Sequence, residues 1–423
     1  MDSRTVKNGN LYIPIVRIKD GHDYVIEAIK KGATASLWEK DHPNPPEGIS
    51  LIFVDNTLSA LQTLASSYRN QLSIKVIGIT GSYGKTTTKD MVNSILGTSF
   101  KVHKTNSQIG LPLTLLEVSA DDEMVVLEMG MSEKGQIKRL SKIAQPDIGI
   151  ITMIGLSHIA TLGSRGEIAK AKLEIVSGLK EVGLLIYNGD EPFLKGVKNT
   201  PKTRGIRFIT FGETEHNDFY PSSIINESGE YKFLINKKNS PQYTVPILGK
   251  HNIQNALASI AVGKELGINE ENIVSGLKNL TITEMRMQKL NSNKGFTIIN
   301  DAWNASPNSV QAAIETFQEL VGYDKKILVL GDMLELGEKE EEYHKEIGRF
   351  IDPSKIDFLV THGPLSKFIA NEAKINLGNS RVQHLIDKNE IVNFIESISK
   401  ANEIILVKGS RGMTLEEIVN KLL

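Results

Sequence analysis

Cysteine is absent from this chain. That excludes disulfide staples, thiolate metal sites and cysteine nucleophiles together, and it fits a reducing, cytoplasmic setting. An excess of one charge is missing too. The 49 Lys and Arg against 50 Asp and Glu leave a net charge of −1, which supplies no electrostatic reason for nucleic acid or an anionic membrane as partner. No apolar run is long enough to cross a bilayer, and Met1-Asp2-Ser3-Arg4 has no apolar leader. Internal repeats and low-complexity tracts are lacking. What remains is an ordinary globular composition, 40% apolar and 23% charged over 423 residues, with sequence for two or three domains.

The most informative stretch is Gly78-Ile79-Thr80-Gly81-Ser82-Tyr83-Gly84-Lys85-Thr86-Thr87-Thr88. It follows an apolar run, Ile74 to Ile79, that reads as a buried parallel strand, and it precedes Lys89 to Leu96, which has helical spacing. Strand, glycine loop and helix form the setting of a phosphate-binding loop. Gly81 and Gly84 let the backbone aim its N–H groups at one spot, Lys85 adds a charge for the β- and γ-phosphates, and the Thr86 hydroxyl is placed for Mg²⁺. Ile79 stands where the common pattern has another glycine, so the match is to a variant, Thr-Gly-Ser-x-Gly-Lys-Thr-Thr. A glycine turn that binds nothing is the plain alternative. The Gly-Lys-Thr triplet at such a junction favours an ATP site, with Thr80, Ser82 and Thr87 in the same cradle.

Before this loop, residues 1–73 mix short elements. Leu11 to Ile15 is an expected strand, Asp23 to Lys31 a helix, Leu51 to Val54 a strand and Thr57 to Tyr68 a helix. Asp20-Gly21-His22-Asp23 reads as a surface turn, with a polar ligand loop as the alternative. From 74 to about 280 apolar strands stop at glycine and polar residues. Met124 to Leu127 runs into Glu128, Ile148 to Ile154 into Gly155 and His158, and Gly183 to Tyr187 into Asn188-Gly189-Asp190. Helices lie between them, the signature of a mostly parallel, doubly wound sheet whose ligands sit at the carboxyl ends of strands. Glu128 and His158 fall at such ends. Either could be a buried structural polar group, but their place beside the lysine loop points to Mg²⁺ or substrate. By composition alone Lys170 and Lys172 belong to a solvated helix face. Asn252 can cap the helix that follows it, and the alternative is that this helix's amino end holds an anion or the polar edge of a base.

A boundary is expected near residue 285. Beyond it Phe296 to Ile299, Lys326 to Leu330, Phe358 to Val360 and Ile404 to Val407 repeat the strand-then-glycine pattern, a second doubly wound domain without a nucleotide loop. Lys408-Gly409-Ser410-Arg411 at a strand end makes a cationic nest for a carboxylate or phosphate, with a basic turn as the alternative.

Taken together, these motifs resemble the Mur ligases, the ATP-dependent amide-forming enzymes of bacterial cell-wall precursor synthesis. The residues that carry the resemblance span nearly the whole chain: Asp2-Ser3-Arg4, Asp20-Gly21-His22, Thr80 to Thr88, Ile109 to Leu116, Leu127 to Gly130 and His158. They continue through Ala169 to Lys172, Gly249 to Asn255, Arg286-Met287, Asn300 to Pro307, Leu330 to Gly337 and Val407 to Gly412. The resemblance implies three domains: 1–73 for the UDP end of the acceptor, 74–284 for ATP, and 285–423, Rossmann-like, for the incoming amine. It implies ATP and Mg²⁺ as cofactors, and a UDP-linked peptide acceptor and D-alanyl-D-alanine as substrates of a monomeric ligase working through an acyl phosphate. Lys85 and the loop amides would hold phosphate, and Thr86 and Glu128 would hold Mg²⁺. His158 and a carbamylated Lys172 would hold a second Mg²⁺. Asn255 would meet adenine, while Arg286 and Asp301 close on the nucleotide from the third domain. Ser3 and Arg4 would contact the acceptor, and Asp332, Lys408, Ser410 and Arg411 would contact substrate in the third domain.

The chain departs from the family pattern in places. Its first domain is expected to lack the opening strand and helix, and Lys104 to Gln108 is shorter than the asparagine-rich segment usual there. Tyr83, Leu156 and Trp303 replace asparagine, an acidic residue and tyrosine. A paralogue joining another amine to another carboxylate is therefore the alternative, and a nucleotide-binding regulator without turnover is a third reading.

Overall fold

Side chains along the central strands alternate between two cores, as the two-residue period of a strand demands. Ile77, Ile79, Val126, Ile150 and Ile186 enter one cluster, while Val76, Val125, Leu127, Ile151 and Leu185 enter the other. Helices must therefore cover both faces, and they do. In the computed structural model, which describes residues 1–97, 102–106, 108–227, 229–236 and 240–423, the strands Val102–Asn106, Met124–Glu128, Lys75–Thr80, Ile148–Ile151, Leu184–Asn188 and Arg207–Phe211 lie in that order, all parallel. Lys85–Leu96 and Asn252–Glu265 pack on one face and Gln136–Ala144 on the other. Of the shortened segment before Ile109, Ser107 lies outside the described residues.

The C-terminal sheet repeats the logic. Its order is Gln288–Asn291, Thr297–Asp301, Ile404–Lys408, Lys326–Gly331, Phe358–His362 and Val382–His384, with only the first strand antiparallel. Ile299, Leu328 and Leu406 feed one core, Ile298, Ile327 and Ile405 the other. The N-terminal domain is smaller: Leu11–Tyr12, Ala35–Glu39 and Ser50–Val54 form a parallel three-stranded sheet. Three α/β domains result. Among the described residues no helix is long and apolar enough to cross a membrane.

Several expectations are corrected. The first strand stops at Tyr12 and does not reach Ile15, because Pro14 has no N–H to give a ladder. The strand from Ile148 stops at Ile151. Beyond it the Thr152 hydroxyl donates to Tyr83 O at 2.7 Å, so the chain braces the glycine loop and leaves the sheet. Asn252 does not cap its helix. It is the first helical residue, its Nδ2 donates to Leu248 O at 2.7 Å, and its Oδ1 accepts from Asn255 Nδ2 at 2.9 Å. A small antiparallel sheet, Pro221–Glu227, Glu230–Ile235 and Tyr243–Val245, also has no counterpart in the sequence reading.

Candidate active site

The glycine loop enters the Lys85–Leu96 helix directly. Gly84 has φ +82°, and a Cβ on it would stand 2.4 Å from Asn255 Oδ1, so both backbone and space require glycine. No side chain caps the helix. Its first N–H groups remain for an anion, the usual advantage of a helix amino end. Lys85 curls over the loop and donates to Gly81 O at 2.8 Å and Ser82 O at 3.2 Å. Its ammonium is destabilised first by burial, then by Arg286, against the pull of Glu128. Thr80 lies behind the loop, its hydroxyl donating to Met129 O at 2.9 Å.

Strand register delivers Glu128 to this point, because it pairs with Ile79 at the carboxyl end of the sheet. Its Oε2 accepts from the Thr86 hydroxyl at 3.0 Å, and the same hydroxyl accepts from Arg286 Nη2 at 3.1 Å. Arg286 comes from beyond the expected domain boundary. Its guanidinium lies 5.7 Å from the centre of the Trp303 ring, against which Arg411 also lies at 5.3 Å. The central and C-terminal domains thus meet over the loop, and the cleft between them is lined by Ser82 to Thr87, Glu128, Asn255, Arg286, Asp301, Trp303 and Lys408.

Asn255 is committed within the protein: Oδ1 accepts from Thr88 Oγ1 at 3.2 Å, and Nδ2 donates to Asn252. It braces the loop from behind, next to Gly84, and it also lines the cleft. The residues of the expected cationic nest at 408–411 have partners within the chain. Lys408 Nζ lies 2.5 Å from Asp301 Oδ2 and donates to Asn304 O at 3.0 Å, so a carboxylate of the chain already neutralises it. Asp301 in turn accepts from the Met287 N–H at 3.1 Å, which ties the boundary segment to the C-terminal sheet. Ser410 Oγ accepts from the Leu334 N–H at 2.9 Å, and Arg411 pairs with Glu416. Asp332 is buried and accepts from the N–H groups of Leu365 and Ser366 at 3.1 and 2.6 Å, which gives it a structural load at a helix start.

Lys172 overturns the solvated-face reading: it is 1% exposed. Burial drives its amine well toward the neutral form, Lys85 adds to the push, and Glu128 opposes it. Lys170, two residues earlier, does remain exposed, paired with Glu167 at 2.6 Å. His158, at φ +63°, follows the Ile148–Ile151 strand, and its Nδ1 lies 2.6 Å from Glu335 Oε2 of the C-terminal domain. Burial keeps its imidazole neutral, with Lys172 and Lys85 acting the same way.

Ser3 and Arg4 are not brought into this cleft. Ser3 Oγ donates to Glu27 Oε2 at 2.7 Å, and Arg4 pairs at 2.8 Å with Asp2 on the surface of the N-terminal domain. Asp20-Gly21-His22 in that domain is not a surface turn. His22 is buried, its Nδ1 2.7 Å from Asp20 Oδ1, and His42 Nε2 reaches Asp20 Oδ2 at 3.2 Å. The two imidazoles stack at 3.9 Å with planes 14° apart. Their in-plane lone pairs therefore cannot converge on one cation, and the group is a hydrogen-bonded network around Asp20.

Sequence reasoning missed three residues. Trp303 is a platform for two arginines, His251 is a cleft imidazole that burial pushes down to about 4, and Glu335 is the partner of His158. All three sit inside stretches that carried the family resemblance, but their partners lie in other elements, which no local pattern reveals.

Comparison with known proteins is specific. The Mur ligase middle domain matches residues 79–263, and the Mur ligase, glutamate ligase domain matches residues 285–411. The chain is similar to the UDP-N-acetylmuramoyl-tripeptide–D-alanyl-D-alanine ligase of Bacillus subtilis strain 168, 47% identical over 427 residues that cover 100% of this chain and 92% of that protein. Among solved structures it is similar to the MurF ligase of Thermotoga maritima in complex with ADP, with a TM-score of 0.85 and 28% identity over 100% of this chain and 96% of that one. MurF from Acinetobacter baumannii gives a TM-score of 0.88 and 27% identity over 100% and 92%.

Proposed function

Because this chain belongs to the Mur ligase family, we propose that it is an ATP-dependent ligase joining D-alanyl-D-alanine to UDP-N-acetylmuramoyl-tripeptide through an acyl phosphate, in the cytoplasm. One observation carries the reading beyond family membership: the Thr86 hydroxyl is held at once by Glu128 and by Arg286 from across the boundary. We take that boundary at 284/285 and the earlier one at 73/74.

A carboxylate is a poor electrophile, and its attack on a triphosphate brings anions together. Lys85 and the N–H groups that open the Lys85–Leu96 helix would take up charge on the γ-phosphoryl group as it loosens, which is most of what phosphoryl transfer needs from a protein. The acceptor carboxylate oxygen forms a bond to the γ-phosphorus and ADP leaves. The amine of D-alanyl-D-alanine then attacks the acyl carbon, gives up a proton, and phosphate departs as the amide forms. Docking of Arg286 and Trp303 over the loop would keep water from the acyl phosphate.

The donor set fits Mg²⁺. A buried hydroxyl and a buried carboxylate, with oxygens 3.0 Å apart at Thr86 and Glu128, are hard oxygen ligands. His158 and Lys172 would hold a second ion, because an amine kept neutral by burial is the form that adds CO₂ to become a carbamate. Bound there, magnesium offsets the repulsion between γ-phosphate and carboxylate.

The test is phosphate release from ATP with UDP-N-acetylmuramoyl-tripeptide, with and without D-alanyl-D-alanine, and mass analysis of the product. Release that requires both acceptor and amine, with one amide formed per phosphate, is expected. Release independent of the acceptor would turn the reading into a plain nucleotide hydrolase.

A further inference from the structure

Residues 280–287 carry the chain from the central to the C-terminal domain without regular secondary structure. Three alternate N–H groups of this linker are nonetheless taken by side-chain oxygens. Thr283 donates to Asp90 Oδ2 at 2.8 Å, Met285 to Gln288 Oε1 at 3.1 Å, and Met287 to Asp301 Oδ1 at 3.1 Å. Gln288 and Asp301 belong to the C-terminal sheet. Asp90 belongs to the Lys85–Leu96 helix, so of the three it alone ties the linker to the central domain. Met285 and Met287 hold left-handed backbones, at φ +59° and +49°. Such conformations persist in non-glycine residues where the surroundings hold them.

Asp90 stands four residues after Thr86, and on a helix that spacing stacks two side chains on one face, about 6 Å apart along the axis. The linker follows this face: Thr283 meets Asp90, and three residues later Arg286 Nη2 donates to Thr86 Oγ1 at 3.1 Å. Asp90 and Thr86 are 2% and 6% exposed, so water does not compete for either contact, and a buried N–H left without its acceptor is costly. An arginine side chain is long and rich in rotamers, so the placement of its own backbone decides where it can aim. Arg286 Nε is buried with no hydrogen-bond partner among the described residues. The guanidinium is thus held with one donor on Thr86 and another open to an incoming acceptor.

We propose that Asp90 is a positioning residue for Arg286: by accepting the Thr283 N–H it fixes the linker to the phosphate-loop helix, one turn beyond Thr86, and so aims the guanidinium at the loop. The inference rests on the reading of this cleft as an ATP site. Asp90 does not itself line the cleft, so it acts on the nucleotide only through Arg286.

The test is a double-mutant cycle on the full chain, read as kcat/KM for ATP in phosphate release. Asp90→Ala should lower it about tenfold or more, the scale of a small misplacement of a phosphate-binding group. In an Arg286→Ala background the same change should cost less than about twofold, since no guanidinium remains to be aimed. Asp90→Asn keeps an oxygen for the Thr283 N–H and should stay within about threefold of the parent. Thr283→Pro removes the donor and leaves Asp90 in place; it should match Asp90→Ala, and it carries the same cycle if Asp90→Ala does not fold. Hydrogen exchange over residues 283–287 gives a reading that needs no substrate. It should speed up in Asp90→Ala and Thr283→Pro but not in Asp90→Asn, with the Lys85–Leu96 helix still protected. An Asp90→Ala loss that is the same with and without Arg286 would overturn the proposal, because general damage to the fold does not need the guanidinium. So would an equal loss in Asp90→Asn and Asp90→Ala, which would make the negative charge the requirement, or parent-like exchange in Asp90→Ala. Phosphate release by the parent without acceptor would instead sink the ligase reading, while the cycle and the exchange would still judge Asp90.

Discussion

Replacing Lys172 by methionine should stabilise the fold while removing activity. The side chain is 1% exposed, and burial is the main force driving its amine toward neutrality. An unfolded lysine titrates at about 10.4, so holding it neutral in the fold at about pH 7 costs at most roughly 4–5 kcal/mol. Attraction to Glu128 returns part of this, and methionine fills similar volume without charge. The expected gain for Lys172→Met is therefore about 1–3 kcal/mol near pH 7, measured by urea unfolding in buffers stripped of bicarbonate. The sign of its pH dependence follows from the lowered proton affinity. Between the folded value and about 10.4 the unfolded chain holds more protons than the folded one, so the parent gains stability as pH rises through that window. Methionine has no such proton. The advantage of the variant should be largest on the acid side of the window and shrink toward about pH 10. A variant less stable than the parent at neutral pH, or a gain that does not change between neutral and alkaline buffers, would refute the reasoning. Phosphate release should meanwhile fall, with Lys172→Ala partly rescued by added acetate and Lys172→Arg not rescued.

Lys85→Ala removes the charge beside the loop carbonyls and should lower phosphate release by about 10²–10³-fold with stability changed by less than about 1 kcal/mol; unchanged release would sink the ATP site. Burial pushes His251 down to about 4, so the fold should lose about 2–3 kcal/mol as pH falls from about 6.5 toward 4, because the unfolded imidazole takes up the proton first. His251→Gln should flatten that slope in acid unfolding curves, and an unaltered slope would remove His251 as its source. Arg286→Ala loses both the Thr86 contact and the Trp303 platform. It should give a larger radius of gyration in solution scattering and faster proteolysis within residues 283–287, and identical profiles for variant and parent would refute the clamp.

The sheets were legible because strand chemistry is local. Ile77 and Ile79 face one core and Val76 the other whatever the rest of the chain does. The loop was legible for the same reason, since Gly84 and Lys85 act within one turn of each other. Tyr231, Phe233 and Ile235 do alternate, but their partner strand Pro221–Glu227 is largely exposed and polar, so no second apolar pattern marked the hairpin. Composition alone placed Lys172 on a solvated face, because it assigns lysines to water. It shares a buried face with Ile168, Ala169 and Ala171, and only the chemistry of the cleft makes a buried amine worth its desolvation. Arg286 and Asp301 were expected to reach the nucleotide only after a swing of the third domain. The structure already holds Arg286 on Thr86, and two positive-φ residues, Met285 and Met287, flank it. Helical or strand periodicity carries no trace of such a contact.

The charge balance of the docked cleft says why closure and substrate belong together. Lys408 is neutralised by Asp301 and drops out. With Lys172 driven to its neutral form, Lys85 and Arg286 remain as cations, each destabilised first by burial and each drawing on the same carboxylate, Glu128. Arg286 alone gets further help, from Asp301 and Asp90. A single carboxylate cannot offset two desolvated cations, so docking the C-terminal domain sets up an uncompensated positive field over the glycine loop. A triphosphate and a substrate carboxylate bring the missing negative charge, and they bring it to the face where Arg286 lands. Anion binding should therefore strengthen the interface between the two domains, and separation of the domains should weaken anion binding by the same factor. The strength of the cleft as a phosphate site is in this sense a property of the interface, and it cannot be assigned to the loop alone.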